Sequence, residues 1–332
     1  MKAVVCEKYG PPEVLELKER DKPVPKDNEV LVKVHASTVN AADCNVRGLT
    51  YIPPGLGFVA KSMLGFKKPK ISVPGSVLAG EIEAVGKEVH SFKPGDKVYG
   101  SGAEMGAYAE YACRPENGAI ALKPENLSYE QAAAIPYGAL TALYFLRDKA
   151  GAGKGQKVLI NGASGGVGVY AVQLAHYFGA EVTGVCSTGN MDLVRSLGAD
   201  RVIDYTKEDF ARTGELWDVI FDMVVGRTSF SRASLALRPK GYYLAVAGGL
   251  MEMLQMVRTS VTGGKKVVFG GGTACETREN MDFLSELVEA NKLRPVLDRS
   301  FSLEQIADAH RYVESGHKTG NIAVTVLQSH HK

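Results

Sequence analysis

The residues best suited to chemistry lie at 158–174, Val-Leu-Ile-Asn-Gly-Ala-Ser-Gly-Gly-Val-Gly-Val-Tyr-Ala-Val-Gln-Leu. A buried strand at 158–160 runs into a turn of small residues. A helix then opens whose apolar side carries Val167, Ala171, Val172 and Leu174. Small residues let the backbone approach a pyrophosphate, and free N–H groups at a helix start favour anionic oxygens. The spacing Ala163-x-Gly165-x-x-Gly168 is the dinucleotide fingerprint with alanine at its first glycine. The strand before it and the helix after it supply the context that a lone glycine-rich turn lacks.

The second half of that fingerprint falls about 20 residues on, at the end of the next strand. Residues 181–187 read as that strand, and its end, Cys186-Ser187-Thr188-Gly189-Asn190, carries no acid. Glu181 sits at the opposite end. A carboxylate would hold the ribose 2′-hydroxyl of NADH and repel a 2′-phosphate, whereas hydroxyls, an amide and loop N–H groups suit the phosphate. NADPH is therefore expected over NADH, although no Lys or Arg follows closely, the nearest being Arg195.

The elements that must position this turn fall into three stretches. Residues 1–127 read as mostly β, with short alternating runs at 3–6, 29–36, 80–85, 97–99 and 106–112 separated by Pro/Gly/Asp turns. Residues 128–293 alternate strands (157–161, 181–186, 201–204, 217–222, 241–247, 266–270) with helices such as 190–197 and 230–237. Six Val/Ile/Leu-rich strands with crossover helices describe a doubly wound parallel sheet, a Rossmann domain in an α/β chain. The tail, 294–332, holds a helix (303–315) and a strand (321–327) and is expected to complete the first domain.

Composition narrows the classes. The chain has 332 residues, 45% hydrophobic and 23% charged, with a net charge of +2, so nothing argues for nucleic acid as a partner. No apolar run approaches the ~20 residues of a membrane span. The start, Met-Lys-Ala-Val-Val-Cys, reads directly as a strand. Five scattered cysteines without a C-x-x-C suggest free thiols in a reducing compartment. The cytoplasm is the expected location.

The chain resembles the medium-chain dehydrogenases/reductases, in their zinc-independent quinone oxidoreductase branch. The resemblance rests on ordered motifs: Met1-Lys2-Ala3-Val4, Val39-Asn40-Ala41-Ala42-Asp43, Pro74-Gly75, Gly80-x-Ile-x-x-Val-Gly86 and Phe92-Lys-Pro-Gly-Asp-Lys-Val98. It continues through Ala133-Ile-Pro-x-Gly-x-x-Thr141-Ala142, the 161–168 turn, Leu197-Gly-Ala199, Asp204-Tyr205 and Lys318-Thr-Gly-Asn321. The long segment 53–69 is similar to a subgroup with chloroplast-envelope quinone oxidoreductase-like proteins and enone reductases. The resemblance implies a GroES-like β domain (1–127 with 294–332) beside the Rossmann domain (128–293), with the active site in the cleft. A homodimer joined through the sheet edge near 266–270 is also implied.

Zinc-dependent relatives need a Cys where this chain has Asn40–Ala41 and a His-Glu pair where it has Ser76-Val77. Their structural lobe needs four Cys where residues 97–112 hold none. No metal is expected. The chemistry then left is hydride delivery from NADPH to an acceptor already activated, a quinone or an α,β-unsaturated carbonyl, with hydrogen-bond donors for the charge that develops on oxygen.

By resemblance, Asn40 and Asp43 are the pair near the nicotinamide, Asn40 as donor and Asp43 as its orienter. Both also suit the cap of a short helix, and that alternative stays open. Tyr51 stands where related enoyl reductases have a proton-donating tyrosine, or is a surface aromatic. The resemblance also implies cofactor contacts at Thr141, at Ser164, Gly165, Gly166 and Val167 for the pyrophosphate, and at Ser187, Thr188, Asn190 and Tyr205 around the adenosine 2′-phosphate. Many relatives have lysine where Asn190 stands. Further contacts are implied at Gly248, Gly249, Phe269, Gly270, Gly271 and Asn321; the glycines serve tight turns equally well.

Residues 58–70 mix apolar side chains with Lys61, Lys67, Lys68 and Lys70. A solvated loop is the preferred reading over a lid that rests on an anionic membrane. The Met-rich run 250–256 reads as an adaptable apolar wall or as plain helix packing. Three functions compete: an NADPH-dependent quinone or enone reductase, which leads; a zinc-type alcohol dehydrogenase; and a non-catalytic NADPH-binding protein of the same fold.

Overall fold

The computed structural model describes residues 1–50, 52, 55–224, 228–246, 250–270 and 272–327. Its first elements are β1 (Lys2–Cys6), β2 (Leu15–Glu19), β3 (Glu29–Thr38), α1 (Ala41–Gly48) and α2 (Gly57–Leu64). There follow β4 (Val77–Val85), β5 (Lys97–Ser101), β6 (Tyr111–Pro115), β7 (Ile120–Leu122) and α3 (Tyr129–Leu143). The middle holds β8 (Lys157–Asn161), α4 (Gly168–Tyr177), β9 (Glu181–Cys186), α5 (Met191–Ser196), β10 (Arg201–Asp204) and β11 (Trp217–Asp222). Then come α6 (Phe230–Ala233), β12 (Leu237–Ala245), α7 (Leu250–Thr262), β13 (Lys266–Phe269) and α8 (Arg278–Glu289). The chain closes with β14 (Leu297–Ser302), α9 (Ile306–Glu314) and β15 (Asn321–Thr325).

Two compact units result. The second, 53–56 with 141–275, is built on a six-stranded parallel sheet in the order β10-β9-β8-β11-β12-β13. The chain starts in the middle, winds outward to one edge, returns, and winds to the other. Leu159, Val185, Ile203, Trp217, Ile220, Tyr243 and Val267 share one core cluster. Every residue of α4 from Gly168 to Ala175 is buried, which explains its nearly continuous apolar sequence.

The first unit comprises 1–52, 57–140 and 276–332. Its seven-stranded sheet runs β14-β15-β3-β4-β5-β7, with β6 also on β3. The long β3 is central because Val30, Val32 and Val34 feed one core while its edges take three partners. The tail joins here: β15 pairs antiparallel with β3, so residues 321–325 are a strand of the first sheet. Residues 128–140 and 276–293 also pack in this unit. Tyr129 stacks on His35 at 4.3 Å between ring centroids, and the Tyr99 and Ser285 hydroxyls are hydrogen-bonded at 2.9 Å.

One expected strand is displaced. The 106–112 run is not a ladder: the N–H groups of Gly106, Ala107 and Tyr108 donate to Val73, Gly75 and Pro74, and β6 begins only at Tyr111. The segment lies between loop 73–75 on one side and β1 on the other, with a single antiparallel bridge from Ala109 to Ala3.

Candidate functional site

In the second unit, β8 delivers the chain into the small-residue turn. Gly162 takes φ +87°, open to glycine, and the N–H groups of Gly162 and Ala163 both donate to Val185 O, at 3.1 and 2.9 Å. The turn is thus strapped to β9. Alanine is tolerated at 163 because residue 184, which it faces on β9, is glycine; a Cβ there would lie 3.1 Å from the Ala163 methyl. Gly168 has no such latitude, since a Cβ would stand 2.1 Å from Gly162 O. The Gly165 N–H is taken by Gly162 O at 3.0 Å, so it does not face a phosphate as expected from the sequence. Those of Ser164 and Val167 have no partner among the described residues.

At the end of β9, Asn190 Nδ2 donates to Ser164 Oγ at 3.1 Å and to Ser187 Oγ at 3.4 Å. One amide therefore brings three predicted cofactor residues together. Thr188 Oγ1 donates to Asp204, a carboxylate from the end of neighbouring β10 that the sequence reading gave no role. Asp204 also accepts from the Thr206 hydroxyl (2.7 Å) and N–H (3.0 Å), with Lys207 Nζ at 3.5 Å. The Thr188 and Thr206 hydroxyls hold its carboxyl down to about 2. Lys207, which the sequence reading also gave no role, places an exposed cation at this corner. The parallel neighbourhood of the second and third strands was the signal that could have found both residues. Tyr205 is exposed beside them.

A buried polar knot fixes the next strand ends. Asn161 Nδ2 donates to Asp222 Oδ1 at 2.9 Å, and the Tyr243 hydroxyl donates to Asp222 Oδ2 at 2.7 Å. Burial raises the Asp222 carboxyl, and these donors oppose it. Phe269 is half-buried at the end of β13, and Gly270 takes φ +71° in the turn that follows, as its alternative reading requires. Thr141 is half-buried in α3, and Asn321 opens β15 in the first unit, its N–H on Val296 O at 2.9 Å. Tyr51, Gly248, Gly249 and Gly271 lie outside the described residues.

In the first unit, Asn40 and Asp43 meet at the start of α1. Asn40 Oδ1 accepts from the N–H of Ala42 (2.8 Å) and Asp43 (3.2 Å), and Asp43 Oδ2 accepts the Asn40 N–H (2.9 Å). This reciprocal cap is the structural alternative, and it is present. It also does something further: with Oδ1 committed to two backbone donors, the amide cannot turn over. Nδ2 then points away and donates one hydrogen to Ser76 Oγ at 2.9 Å, while its second N–H has no partner among the described residues. Asp43 Oδ1 accepts the Ser76 N–H at 3.0 Å. Fully buried, Asp43 is pushed up to about 6 by desolvation, against the donors from Asn40, Ser76 and Tyr108. Cap and oxyanion donor are compatible roles of one residue.

Among the described residues, no group of three His, Cys, Asp or Glu is arranged to hold a metal ion. Nor is any helix long and apolar enough to cross a membrane.

Residues 26–124 match the family described as "Alcohol dehydrogenase GroES-like domain", and 197–324 that described as "Zinc-binding dehydrogenase". The chain is 34% identical to "NAD(P)H oxidoreductase RTN4IP1, mitochondrial" of Mus musculus, covering 98% of this chain and 89% of that one. It is 35% identical to "2-methylene-furan-3-one reductase" of Solanum lycopersicum, covering 98% and 79%. This chain is a medium-chain dehydrogenase/reductase. As such it superposes on the Escherichia coli quinone oxidoreductase complexed with NADPH with a TM-score of 0.81, at 26% identity, over 98% of this chain and 100% of that one. The GroES-like and Rossmann assignments of this medium-chain dehydrogenase/reductase follow from the same matches and the two sheets.

Proposed function

We propose that this chain is an NADPH-dependent oxidoreductase acting on quinones or α,β-unsaturated carbonyl compounds. The observation that carries the reading is the turn at 162–168, strapped to β9, with N–H groups at Ser164 and Val167 that have no partner among the described residues and no space for a side chain at Gly168. Those features fit a pyrophosphate. The end of β9 offers Ser187 and Asn190, with Lys207 nearby, which supports the 2′-phosphorylated cofactor, while the ionised Asp204 carboxylate on the Thr188 hydroxyl is the one group here that favours a plain 2′-hydroxyl. The relatives agree in class: one acts on a methylene furanone, a conjugated ketone by its name, and one is a quinone oxidoreductase crystallised with NADPH.

When bound, NADPH supplies a hydride. Added to the conjugated carbon of an enone, that hydride leaves negative charge on the carbonyl oxygen, and a proton taken up at the α-carbon completes the reduction. The protein's task is to orient the acceptor and meet the charge with a fixed donor. The locked Asn40 amide is the group we assign to it. Asn40 and Ser76, an amide and a hydroxyl joined to each other, are not ligands that zinc selects, which supports a reaction without bound metal. Metal analysis of the active protein, with turnover unchanged after chelation, tests that part.

Cytoplasmic residence and a homodimer belong to the same reading; β13 is an outermost strand of its sheet, suited to pairing with a second copy. NADPH oxidation against a panel of quinones, enones and primary alcohols tests the whole. Binding of NADPH without turnover of any acceptor would favour a non-catalytic protein. Alcohol oxidation that needs metal would favour the dehydrogenase alternative.

A further inference from the structure

Ser76 belongs to no expected site, yet among the described residues it is the one side chain to which the Asn40 amide donates. It is buried at 4% exposure, immediately before β4, and its backbone N–H is anchored on Asp43 Oδ1. The Ser76 oxygen is an acceptor here, and the Asn40 Nδ2–H fills it at 2.9 Å.

The result is a closed arrangement. Oδ1 of Asn40 is occupied by two backbone donors, one Nδ2–H is occupied by Ser76, and a single N–H remains uncommitted. An amide group is planar, so fixing three of its four hydrogen-bonding directions fixes the fourth. Without the serine oxygen, the amide keeps its cap but gains freedom to rock about χ2, and the remaining N–H loses its aim.

We infer that Ser76 is a positioning residue, which through its hydrogen bond from Asn40 aims the free amide N–H at the carbonyl oxygen of the acceptor. The inference rests on the function proposed above, since it needs an acceptor whose oxygen gains charge. Ser76 touches neither cofactor nor acceptor in this role. It acts on the reaction only through Asn40.

The test uses the full chain with but-3-en-2-one and 1,4-benzoquinone as acceptors, and compares Ser76→Ala and Ser76→Thr with the wild type. NADPH affinity is read separately from the change in its fluorescence on binding, and folding from urea midpoints. For Ser76→Ala the expected result is a fall in kcat with the enone of about tenfold to a hundredfold, with the NADPH Kd within twofold of wild type. Ser76→Thr, which keeps the hydroxyl, is expected to recover most of the lost kcat. Unchanged kcat in Ser76→Ala overturns the inference, and so does a parallel loss of kcat and NADPH affinity. If threonine folds as stably as alanine but recovers nothing, the hydroxyl is not what matters and the inference also falls. Absence of wild-type turnover with either acceptor refutes the proposed function instead, and is distinguishable because it appears before any variant is made.

Discussion

Asn40 combines two jobs that a substitution can separate. Serine caps helices about as well as asparagine, because its hydroxyl oxygen also accepts from the N2 or N3 N–H, but it offers no amide donor in the same place. Alanine does neither. The cap here takes two N–H groups at a helix start where Asn40 is only 7% exposed, so its loss should cost about 1–2 kcal/mol of stability. Removing a donor that meets developing oxyanion charge costs about 3–4 kcal/mol in the transition state, or roughly a hundredfold to a thousandfold in kcat. Asn40→Ser is therefore expected to unfold in urea within about 0.5 kcal/mol of wild type while losing two to three orders of magnitude in enone turnover. Asn40→Ala should lose both. The assay pairs urea titration with steady-state NADPH oxidation. If Asn40→Ser turns over enones at near wild-type rate, the residue is a cap and nothing more, and the assignment of the oxyanion donor is wrong.

Three more outcomes follow from the geometry. Gly168→Ala puts a methyl where Gly162 O already stands, 2.1 Å away, so the turn must open; NADPH affinity should drop at least about tenfold by equilibrium titration, as expected for a misfitted phosphate site. Asn190→Lys adds a cation beside Ser187 and should tighten NADPH but not NADH, an effect that fades at high salt; equal tightening of both would detach this corner from the 2′-phosphate. The third concerns pH. Burial holds His310, fully enclosed, down to about 3, so its contribution is complete above the ordinary 6.5 and is lost as pH falls toward 3. Asp43 runs the other way: raised to about 6, it contributes stability below the ordinary 3.8 that is lost as pH rises through 6. Between about pH 4 and 6 the two slopes oppose. His310→Leu removes one of them, so relative to wild type the variant should gain about 3 kcal/mol between pH 6.5 and 4 in urea-derived stability. A difference that does not vary with pH would mean His310 is not buried neutral.

The Rossmann strands were legible because each is a short apolar run bounded by Gly or Asp, buried on both faces, and 157–161, 181–186, 201–204 and 217–222 emerge with the expected bounds. β12 begins earlier than expected, at Leu237, because Leu237 pairs with Trp217 across an irregular register that sequence alternation does not record. Segment 106–110 misled for the opposite reason: its alternation is matched by only a single antiparallel bridge, Ala109 to Ala3 of β1, and not by a continuous ladder. In the site, Asn40 and Asp43 were identifiable by type and spacing; the structure shows the cap they form, and the donor role that stands beside it is what Asn40→Ser tests. Ser76 and Asp204 were missed since each matters through a residue distant in the chain, 36 and 16 positions away for their contacts with Asn40 and Thr188, and Lys207 was missed because it pairs with Asp204, three positions before it. Only the pairing of strands brings the first two together.

The central claim is that the turn at 162–168 holds NADPH for hydride transfer to a conjugated acceptor. The most direct measurement is stopped-flow mixing of the protein–NADPH complex with but-3-en-2-one, using NADPH carrying deuterium at C4 in parallel. The account predicts NADPH consumption matched mole for mole by saturated ketone, slowed by the label, and far weaker with NADH. Tight NADPH binding with no acceptor reduced, or oxidation without deuterium reaching the product, would contradict it.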